Sequence, residues 1–271
     1  SIMILNEDFT LSNGVKIPRL GLGTWLIDDN IVSNAVKQAI SIGYRHIDTA
    51  QAYENESGVG TAIRDCGMTR DNIFVTSKVR AEYKSYESTV KSINETLQKT
   101  GLEYLDMMII HCPQPWEEYN KSDNRYFKEN RQVWKALEEA YSAGKLRAIG
   151  VSNFSEKDIE NILETATIKP MVNQIECHIG NTPLELIQYC QNAGIVVEAY
   201  SPIAHGRLLN NSYVISLSEK YNTTISQLCI RYAIQLGTVA LPKTTNPDHM
   251  RNNAEIDFEI SSEDMEILKN I

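Results

Sequence analysis

The sequence of 271 residues has only five cysteines, and none of them stands in a Cys-x-x-Cys pair. Their odd number and wide scatter argue against a disulfide framework, and the missing ligand spacing argues against a zinc site. We therefore expect no metal ion, and we expect thiols that are buried and reduced.

Long hydrophobic runs and an excess of positive charge are also absent. No apolar stretch approaches the roughly 20 residues of a membrane-spanning helix. The apolar residues 2–5 have no basic flank and are followed by Glu7 and Asp8, which is unlike a secretory signal. The 26 lysines and arginines against 35 aspartates and glutamates give a net charge of −9, which disfavours a surface for nucleic acids or anionic membranes. We expect a cytoplasmic protein that binds neither.

What the sequence does contain is one pattern repeated eight times, a short apolar run with a polar end followed by a longer amphipathic stretch. The runs cover residues 20–24, 45–49, 73–78, 107–111, 148–153, 172–176, 195–201 and 238–243. Short runs that are apolar on both faces are typical of strands buried between other layers. Eight strands that alternate with helices fit a closed (β/α)8 TIM barrel, whose usual length is about 250 residues. We predict this α/β fold, as a single domain over residues 1–271.

Two local patterns refine this prediction. Residues 9–17 alternate around Asn13-Gly14, which predicts an N-terminal β-hairpin with a two-residue turn. The competing fold, an open doubly wound sheet, would need a Gly-x-Gly-x-x-Gly turn, of which only Gly21 and Gly23 are present. Helices are predicted over residues 30–42, 88–100, 133–142 and 262–269, and Ser155 is a candidate cap for another.

Polar side chains stand at the carboxyl end of each predicted strand, where the active sites of TIM barrels are assembled. They are Thr24 and Trp25, Asp48 and Thr49, Ser77 and Lys78, His111, Ser152 and Asn153, Gln174 and Glu176, Tyr200 and Ser201, and Lys243 and Thr244. Any one of them could be a solvated strand end or a helix cap. Several mutually compatible proton-transfer groups on successive strands are better explained as a catalytic site.

Asp48, Tyr53, Lys78 and His111 form such a set. A tyrosine hydroxyl titrates at about 10 and is a weak acid at neutral pH. A nearby lysine would lower the pKa of Tyr53, and a buried carboxylate would keep the lysine charged. A neutral histidine could hydrogen-bond a substrate carbonyl and direct it towards the tyrosine. None of the four is placed to attack the carbonyl carbon, so the set requires a bound hydride carrier.

Six motifs surround these residues. They are Gly43-Tyr-Arg-His-Ile-Asp-Thr-Ala50 with Tyr53, Asn55 and Glu56; Ser77-Lys78; Ile110-His111-Cys112-Pro113; Gly150-Val-Ser-Asn-Phe154; Val172-Asn-Gln-Ile-Glu176; and Ala199-Tyr-Ser-Pro202. In content and order they resemble the aldo-keto reductase family, from about residue 9 to the C-terminus. The resemblance implies an NADPH-dependent carbonyl reductase on a (β/α)8 barrel, with Tyr53 as the general acid and Asp48, Lys78 and His111 completing a catalytic tetrad.

The same resemblance assigns the cofactor contacts. Ser152, Asn153 and Gln174 would bind the nicotinamide carboxamide, and Tyr200 would stack on the nicotinamide ring. The ribose and pyrophosphate would lie against Thr24 and the segment that contains Ser201, Pro202, Ile203 and Gly206.

Residues 241–253 are the strongest candidate for an anion site. Thr245 or Asn246 could cap a helix that begins at Pro247, and the N-terminus of a helix offers free N–H groups to a phosphate. Lys243 and Thr244 stand beside this position.

The segment also resembles the one that binds the adenosine 2′-phosphate in the family, with Asn253 at the adenine-contacting position. His249 stands where members usually have arginine, and Arg251 follows two residues later. A neutral histidine cannot replace the guanidinium fork. The resemblance therefore implies NADPH as the cofactor, with NADH as a second possibility.

Trp25, Arg80, His111 and Trp116 are the predicted substrate contacts. After Lys78 the family often continues Leu-Trp, whereas this chain continues Val-Arg80, which removes one aromatic wall of the pocket. Arg80 could instead meet an anionic or polyhydroxy substrate. Longer members have a C-terminal loop over the pocket that this sequence lacks. The resemblance thus implies small aldehydes, dicarbonyls and keto sugars, as in bacterial diketogulonate and methylglyoxal reductases.

Two other functions stay open at this point. The same fold and cofactor site could belong to a non-catalytic nucleotide-sensing subunit. Alternatively, Glu176 and Glu198 could be the paired carboxylates of a glycoside hydrolase on a barrel. A monomer is the state that the family resemblance implies.

Overall fold

The computed structural model describes residues 2–271, with the backbone alone at His205. Ser1, the first residue of the predicted domain, lies outside the described residues. The strands are β1 Asp8–Thr10, β2 Lys16–Pro18, β3 Leu22–Gly23, β4 His46–Asp48, β5 Phe74–Val79, β6 Met107–Ile110, β7 Ile149–Ser152, β8 Val172–Glu176, β9 Val196–Tyr200 and β10 Val239–Leu241.

Ten α-helices follow or separate these strands. They are α1 Asp29–Ile42, α2 Glu56–Asp65, α3 Tyr86–Thr100, α4 Phe127–Ser142, α5 Glu156–Leu163, α6 Leu184–Asn192, α7 Ser212–Lys220, α8 Ile225–Gln235, α9 Pro247–Ala254 and α10 Ser262–Lys269 within residues 2–271. Short 3-10 helices cover Met3–Asn6, Gln51–Tyr53, Arg70–Asn72 and Ala204–Asn210.

Strands β3 to β10 form one sheet in which each strand pairs in parallel with the next along the chain. Parallel bridges from Leu20 to Ala240 and from Gly23 to Lys243 join the first strand to the last. The sheet therefore closes, which confirms the predicted (β/α)8 barrel, and the alternative of an open doubly wound sheet is wrong.

The strands are buried on both faces because they lie between the barrel interior and the helices. Every residue of β5 and β6 is buried. Helix α1 buries one face, whose residues have the spacing of successive helical turns. Its buried residues are Val32, Ala35, Val36, Ala39 and Ile40.

Helix ends follow local chemistry. Ser155 caps α5, where its side chain accepts the N–H of Asp158 and the Asp158 carboxylate accepts the N–H of Ser155, as the sequence predicts. Helix α10 has the predicted bounds. Helix α4 begins at Phe127, six residues before the predicted start at 133, and this additional part contains Asn130, which is buried and donates to the Pro113 carbonyl oxygen.

The N-terminal hairpin is present, but its predicted two-residue turn is wrong. Strand β1 ends at Thr10 and β2 begins at Lys16, so five residues separate the strands. Within this connection Gly14 has φ +89° and donates its N–H to the Leu11 carbonyl oxygen. Asn13 donates its side-chain amide to the Arg147 carbonyl oxygen, a tertiary contact that the local sequence cannot show.

Three further observations concern residues 2–271. No helix in this range is both long and apolar enough to cross a membrane. The same residues contain no cluster of three or more His, Cys, Asp or Glu side chains that could hold a metal ion. Four of the cysteines are buried as free thiols, whereas Cys66 is half-buried.

Candidate active site

A cavity of about 600 Å³ opens at the carboxyl ends of the barrel strands. It is lined by most of the predicted site residues. These are Thr24, Trp25, Asp48, Tyr53, His111, Trp116, Ser152, Asn153, Gln174, Tyr200, Ser201, Pro202, Ile203 and Lys243. The predicted residues outside the lining are Lys78, Arg80, Gly206, Thr244, Thr245, His249 and Asn253.

Lys78 lies directly behind the cavity wall and has no exposed surface. Its ammonium Nζ donates to Asp48 Oδ2 at 2.6 Å, to the Thr49 carbonyl oxygen at 2.9 Å and to the Tyr53 hydroxyl at 3.1 Å. An ammonium group has three donors, and all three are used here. Three of the four predicted catalytic residues are therefore joined by direct hydrogen bonds.

Burial and the neighbouring charges act in opposite directions on the pKa of Lys78. Burial lowers the pKa of Lys78, but the neighbouring Asp48 carboxylate and Tyr53 hydroxyl outweigh it and leave the pKa above its ordinary value. Lys78 is therefore a permanent cation at neutral pH, as the sequence predicts.

Two opposing effects act on the pKa of Tyr53. Burial raises it above its ordinary value, and although Lys78 lowers it as expected, the effect of burial is larger. The depth of the hydroxyl, which sets the net direction, could not be read from the sequence. At neutral pH Tyr53 keeps its proton beside a fixed cation.

His111 is neutral, as predicted. Burial is the largest cause that holds the pKa of His111 well below its ordinary range, and the charge of Lys78 adds to it. Its ring packs edge-on against the rings of Tyr53 and Trp116, at centroid distances of 5.8 and 5.2 Å. Nδ1 is buried and has no hydrogen-bond partner among residues 2–271. An unpaired N–H is the costlier state, so we assign the proton to Nε2, the nitrogen available to a ligand.

Asn153 and Tyr200 are hydrogen-bonded to each other in the cavity lining. The Tyr200 hydroxyl donates to Asn153 Oδ1 at 2.7 Å, and Asn153 Nδ2 donates to the His111 carbonyl oxygen at 3.0 Å. Asn153 has φ +61°, a left-handed conformation that asparagine tolerates better than most residues. Ser152 donates its hydroxyl to the Gln174 carbonyl oxygen at 2.8 Å. The structure therefore brings together the four residues predicted to contact nicotinamide.

Gln174 connects this group to the tetrad. Its Nε2 donates both to Asp48 Oδ1 at 2.9 Å and to Glu198 Oε1 at 3.1 Å. Glu198 was not predicted as part of this site. The one signal for it was a charged residue inside the apolar run 195–201.

The predicted phosphate segment begins a helix as expected. Asn246, and not Thr245, caps α9, because its side chain accepts the N–H groups of Asp248 and His249. His249 and Lys243 are exposed, and only Lys243 of the two lines the cavity.

Arg80 lies outside the cavity lining. Its guanidinium is 3.4 Å from the Glu54 carboxylate, and its backbone N–H donates to Gln51 Oε1 at 2.9 Å. Its side chain is thus paired with an exposed acid on the turn after β4, which leaves no observed role in a substrate site.

The paired carboxylates of a glycoside hydrolase are also absent from the lining. Glu198 is fully buried, whereas the Glu176 carboxylate is exposed and lies beside His178. Neither residue lines the cavity, so the hydrolase hypothesis has no support in the part of the chain that the structure describes.

Several lining residues were not predicted. They are Gly23, Leu26 and Ala52, whereas Ala204 lies in the segment predicted for the ribose and pyrophosphate, and Leu241 and Pro242 lie in the predicted anion segment. Leu26 is the most exposed of them, at 69%, and it follows the predicted Thr24-Trp25 pair directly. The sequence signal for Leu26 was that an apolar residue stands in the loop directly after a strand end.

Sequence comparison finds relatives over nearly the whole chain. The model of the aldo/keto reductase family matches residues 19–271. The chain is similar to a glyoxal reductase of Bacillus subtilis, with 42% identity over 264 residues that cover 97% of this chain and 91% of the relative. It is also similar to aldo-keto reductase family 1 member A1 of Gallus gallus, with 36% identity over 282 residues that cover 94% of this chain and 85% of the relative.

Solved structures agree with this result. An aldo/keto reductase from Brucella melitensis superimposes with a TM-score of 0.90 at 34% identity, covering 97% of this chain and 98% of the other. An aldo-keto reductase of Bombyx mori in complex with NADP has a TM-score of 0.88 at 32% identity, covering 97% of this chain and 92% of the other.

Proposed function

The chain belongs to the aldo/keto reductase family and is an NAD(P)H-dependent oxidoreductase, and from this premise we propose that it reduces small aldehydes and ketones with NADPH, using Tyr53 as the proton donor. The observation that carries the proposal is the hydrogen bond from buried Lys78 to the Tyr53 hydroxyl at the cavity wall. A lysine held charged by Asp48 is suited to stabilise a tyrosinate once its proton has left.

The residues present fit a nicotinamide nucleotide. The cavity offers the flat aromatic ring of Tyr200 together with the side-chain amides of Asn153 and Gln174. Lys243 supplies a cation at the same cavity. At Gly23 an added Cβ would lie 3.3 Å from the Leu241 carbonyl oxygen, so glycine at this position lets β3 pack closely on the end of β10. When bound, the nicotinamide would supply a hydride to the carbonyl carbon.

The chain's own residues would perform the rest of the reaction. His111 would donate Nε2–H to the carbonyl oxygen and orient it, and Tyr53 would transfer its hydroxyl proton to the same oxygen. The tyrosinate left behind would face Lys78 Nζ, whose charge is retained by Asp48. The indole rings of Trp25 and Trp116 would limit the access of water to the reacting atoms.

The proposed substrates are small carbonyls, including dicarbonyls and keto sugars. The similar Bacillus subtilis protein is named for glyoxal, the smallest dicarbonyl, which supports this class. Trp25, Leu26 and Trp116 give the cavity exposed apolar walls, whereas Arg80 is not part of the lining. An anionic sugar acid would therefore lack the contact that the sequence suggested. The cytoplasmic location and the monomeric state stay predictions.

NADPH is the proposed cofactor, and the support for it is the position of Lys243 on the cavity beside the N-terminus of α9. His249 lies on the first turn of that helix and is exposed, but an imidazole ring lacks the fork of donors that an arginine offers to a phosphate. We therefore propose NADH as a second cofactor.

The test follows NADPH absorbance with the purified protein and glyoxal or methylglyoxal as substrate. We expect wild-type turnover, and we expect Tyr53→Phe to lose it while tryptophan fluorescence still reports NADPH binding. Tyr104→Phe, outside the cavity lining, is the matched control. Turnover in Tyr53→Phe would remove that residue from the mechanism, and binding without turnover in the wild type would favour the nucleotide-sensing alternative.

A further inference from the structure

Beneath the tetrad the barrel interior contains two ionisable residues that the proposed reaction does not use. Glu198 on β9 and His46 on β4 both have no exposed surface. Glu198 Oε2 lies 3.6 Å from His46 Nε2, and neither atom has a hydrogen-bond partner within residues 2–271. Buried polar atoms are rarely left unpaired, so this pair requires an explanation.

The protonation of His46 follows from its surroundings. Its Nδ1 lies 3.1 Å from the Pro18 carbonyl oxygen, which can only accept a hydrogen bond, so Nδ1 carries a proton. Burial lowers the pKa of His46 to about 4, and the ring is therefore neutral. Nε2 then presents a lone pair to Glu198. The His46 ring packs against the backbone at Gly21. A Cβ added at Gly21 would lie 2.8 Å from the Cγ of His46, so glycine at this position leaves room for the ring.

The two oxygens of Glu198 face opposite kinds of group. Oε1 accepts a hydrogen bond from Gln174 Nε2 at 3.1 Å, whereas Oε2 faces the lone pair of His46. An ionised carboxylate would set one of its oxygens against that lone pair. A neutral carboxylic acid with its proton on Oε2 matches both neighbours.

The charges around Glu198 favour the same form. The titratable and charged groups that face it are His46 and Asp48 on β4 and Lys78 on β5. Asp48 and Lys78 already form a balanced ion pair, so a second carboxylate would add an unpaired negative charge to the barrel interior. Burial, followed by the charge of Asp48, raises the pKa of Glu198 to about 8.

We propose that Glu198 is a positioning residue which, as a neutral acid, fixes the side-chain amide of Gln174. The two hydrogens of Nε2 are directed to Asp48 and to Glu198. A flipped amide would turn its oxygen towards the Asp48 carboxylate, so Oε1 is the atom left for the cavity. This inference rests on the proposed function, because Oε1 would accept the N–H of a nicotinamide carboxamide.

The first test measures the dissociation constant of NADPH by fluorescence at neutral and alkaline pH. Glu198→Gln mimics the neutral acid, so it should bind NADPH like the wild type at neutral pH. The wild type should lose affinity as the pH rises through about 8, because an ionised Glu198 would be repelled by the Asp48 carboxylate and by the His46 lone pair and would shift away from Gln174. Glu198→Gln should show no such loss. Glu198→Leu removes the partner of Gln174 and should bind about tenfold more weakly at every pH.

The second test needs no cofactor. The pKa of Glu198 is higher in the folded than in the unfolded protein, so the contribution of Glu198 to stability should be lost as the pH rises from about 4.3 to about 8. The melting temperature of Glu198→Gln should therefore exceed that of the wild type by a gap that widens over this range. Glu160→Gln, an exposed position on α5, is the matched control and should show no such gap.

Three results would overturn the inference. One is NADPH binding by Glu198→Gln that is as weak as that of Glu198→Leu at neutral pH, which would mean that the anion is the active form. The others are an alkaline loss of affinity shared by the wild type and Glu198→Gln, or a melting-temperature gap that does not change with pH. If Glu198→Leu does not fold, the comparison of wild type with Glu198→Gln still decides. A wild type that binds no NADPH would refute the proposed function. The melting curves would then test separately whether Glu198 is a neutral acid.

Discussion

Lys78 Nζ lies 3.1 Å from the Tyr53 hydroxyl, at the end of a side chain that has no contact with solvent. The same nitrogen is held by the Asp48 carboxylate at 2.6 Å. A cation in this position opposes the effect of burial on the pKa of Tyr53. The contact therefore links the stability of the barrel interior to the proposed proton transfer.

Replacing Lys78 by Met should damage both activity and stability. Turnover should fall by at least about a hundredfold, because the pKa of Tyr53 rises further and the tyrosinate loses its counter-ion. The free energy of unfolding should fall by about 3–5 kcal/mol, because Asp48 becomes a buried charge without a partner. Steady-state kinetics and urea unfolding measure the two effects.

The double variant Lys78→Met with Asp48→Asn separates the effect on turnover from the effect on stability. It removes the uncompensated charge, so stability should recover while turnover stays low. Lys91→Met, at an exposed position on α3, is the control for loss of a lysine. Recovery of turnover in the double variant would contradict the role of Lys78 in proton transfer.

The pH dependence of kcat/KM should show no inflection from His111. A histidine ordinarily titrates at about 6.5, but burial and the nearby cations hold the pKa of His111 well below that value. The ring should therefore stay neutral through neutral pH and keep one N–H for the substrate carbonyl. An inflection near pH 6.5 that disappears in His111→Gln would contradict this assignment.

Much of the fold could be predicted because its signals are local. Strands buried on both faces are apolar runs in the sequence, and the closed barrel follows from eight of them alternating with helices. The tetrad could be predicted for the same reason, since Asp48, Lys78 and His111 stand at strand ends that a barrel brings to one mouth.

The rest depends on distances and depths between segments remote in sequence. The direction of the Tyr53 pKa required its burial, and the pairing of Arg80 with Glu54 required the packing of one loop on another. The contact of His46 with Glu198 crosses the barrel interior between β4 and β9, and no spacing in the sequence indicates it.

Replacing Lys243 by Met should raise the KM for NADPH about tenfold more than the KM for NADH. Lys243 lines the cavity beside the N-terminus of α9, so its charge should act on the additional phosphate of NADPH. Lys157→Met, at an exposed position on α5, is the control. Equal increases for both cofactors would place Lys243 at the shared pyrophosphate instead.

His249→Arg should act in the opposite direction. An arginine on the first turn of α9 would add a fixed charge with several donors near the same phosphate. We expect the KM for NADPH to fall several-fold and that for NADH to stay constant. An unchanged ratio of the two constants would mean that this helix end does not contact the phosphate.

Asp264 should stabilise the C-terminal helix in a pH-dependent manner. Its carboxylate accepts hydrogen bonds from Lys220 and from the hydroxyls of Tyr213 and Tyr221, which joins α10 to α7 and the residue after it. These hydrogen bonds, that of Lys220 first, hold the pKa of Asp264 below its ordinary value. The contribution of Asp264 to stability is therefore present above the unfolded pKa of about 3.9 and is lost as the pH falls below it.

Asp264→Asn should lower the free energy of unfolding by roughly 1–2 kcal/mol at neutral pH and by less in acid. Urea unfolding at both pH values, with Asp257→Asn as the exposed control, measures the difference, and an equal loss at both would show that the charge of Asp264 is not the cause.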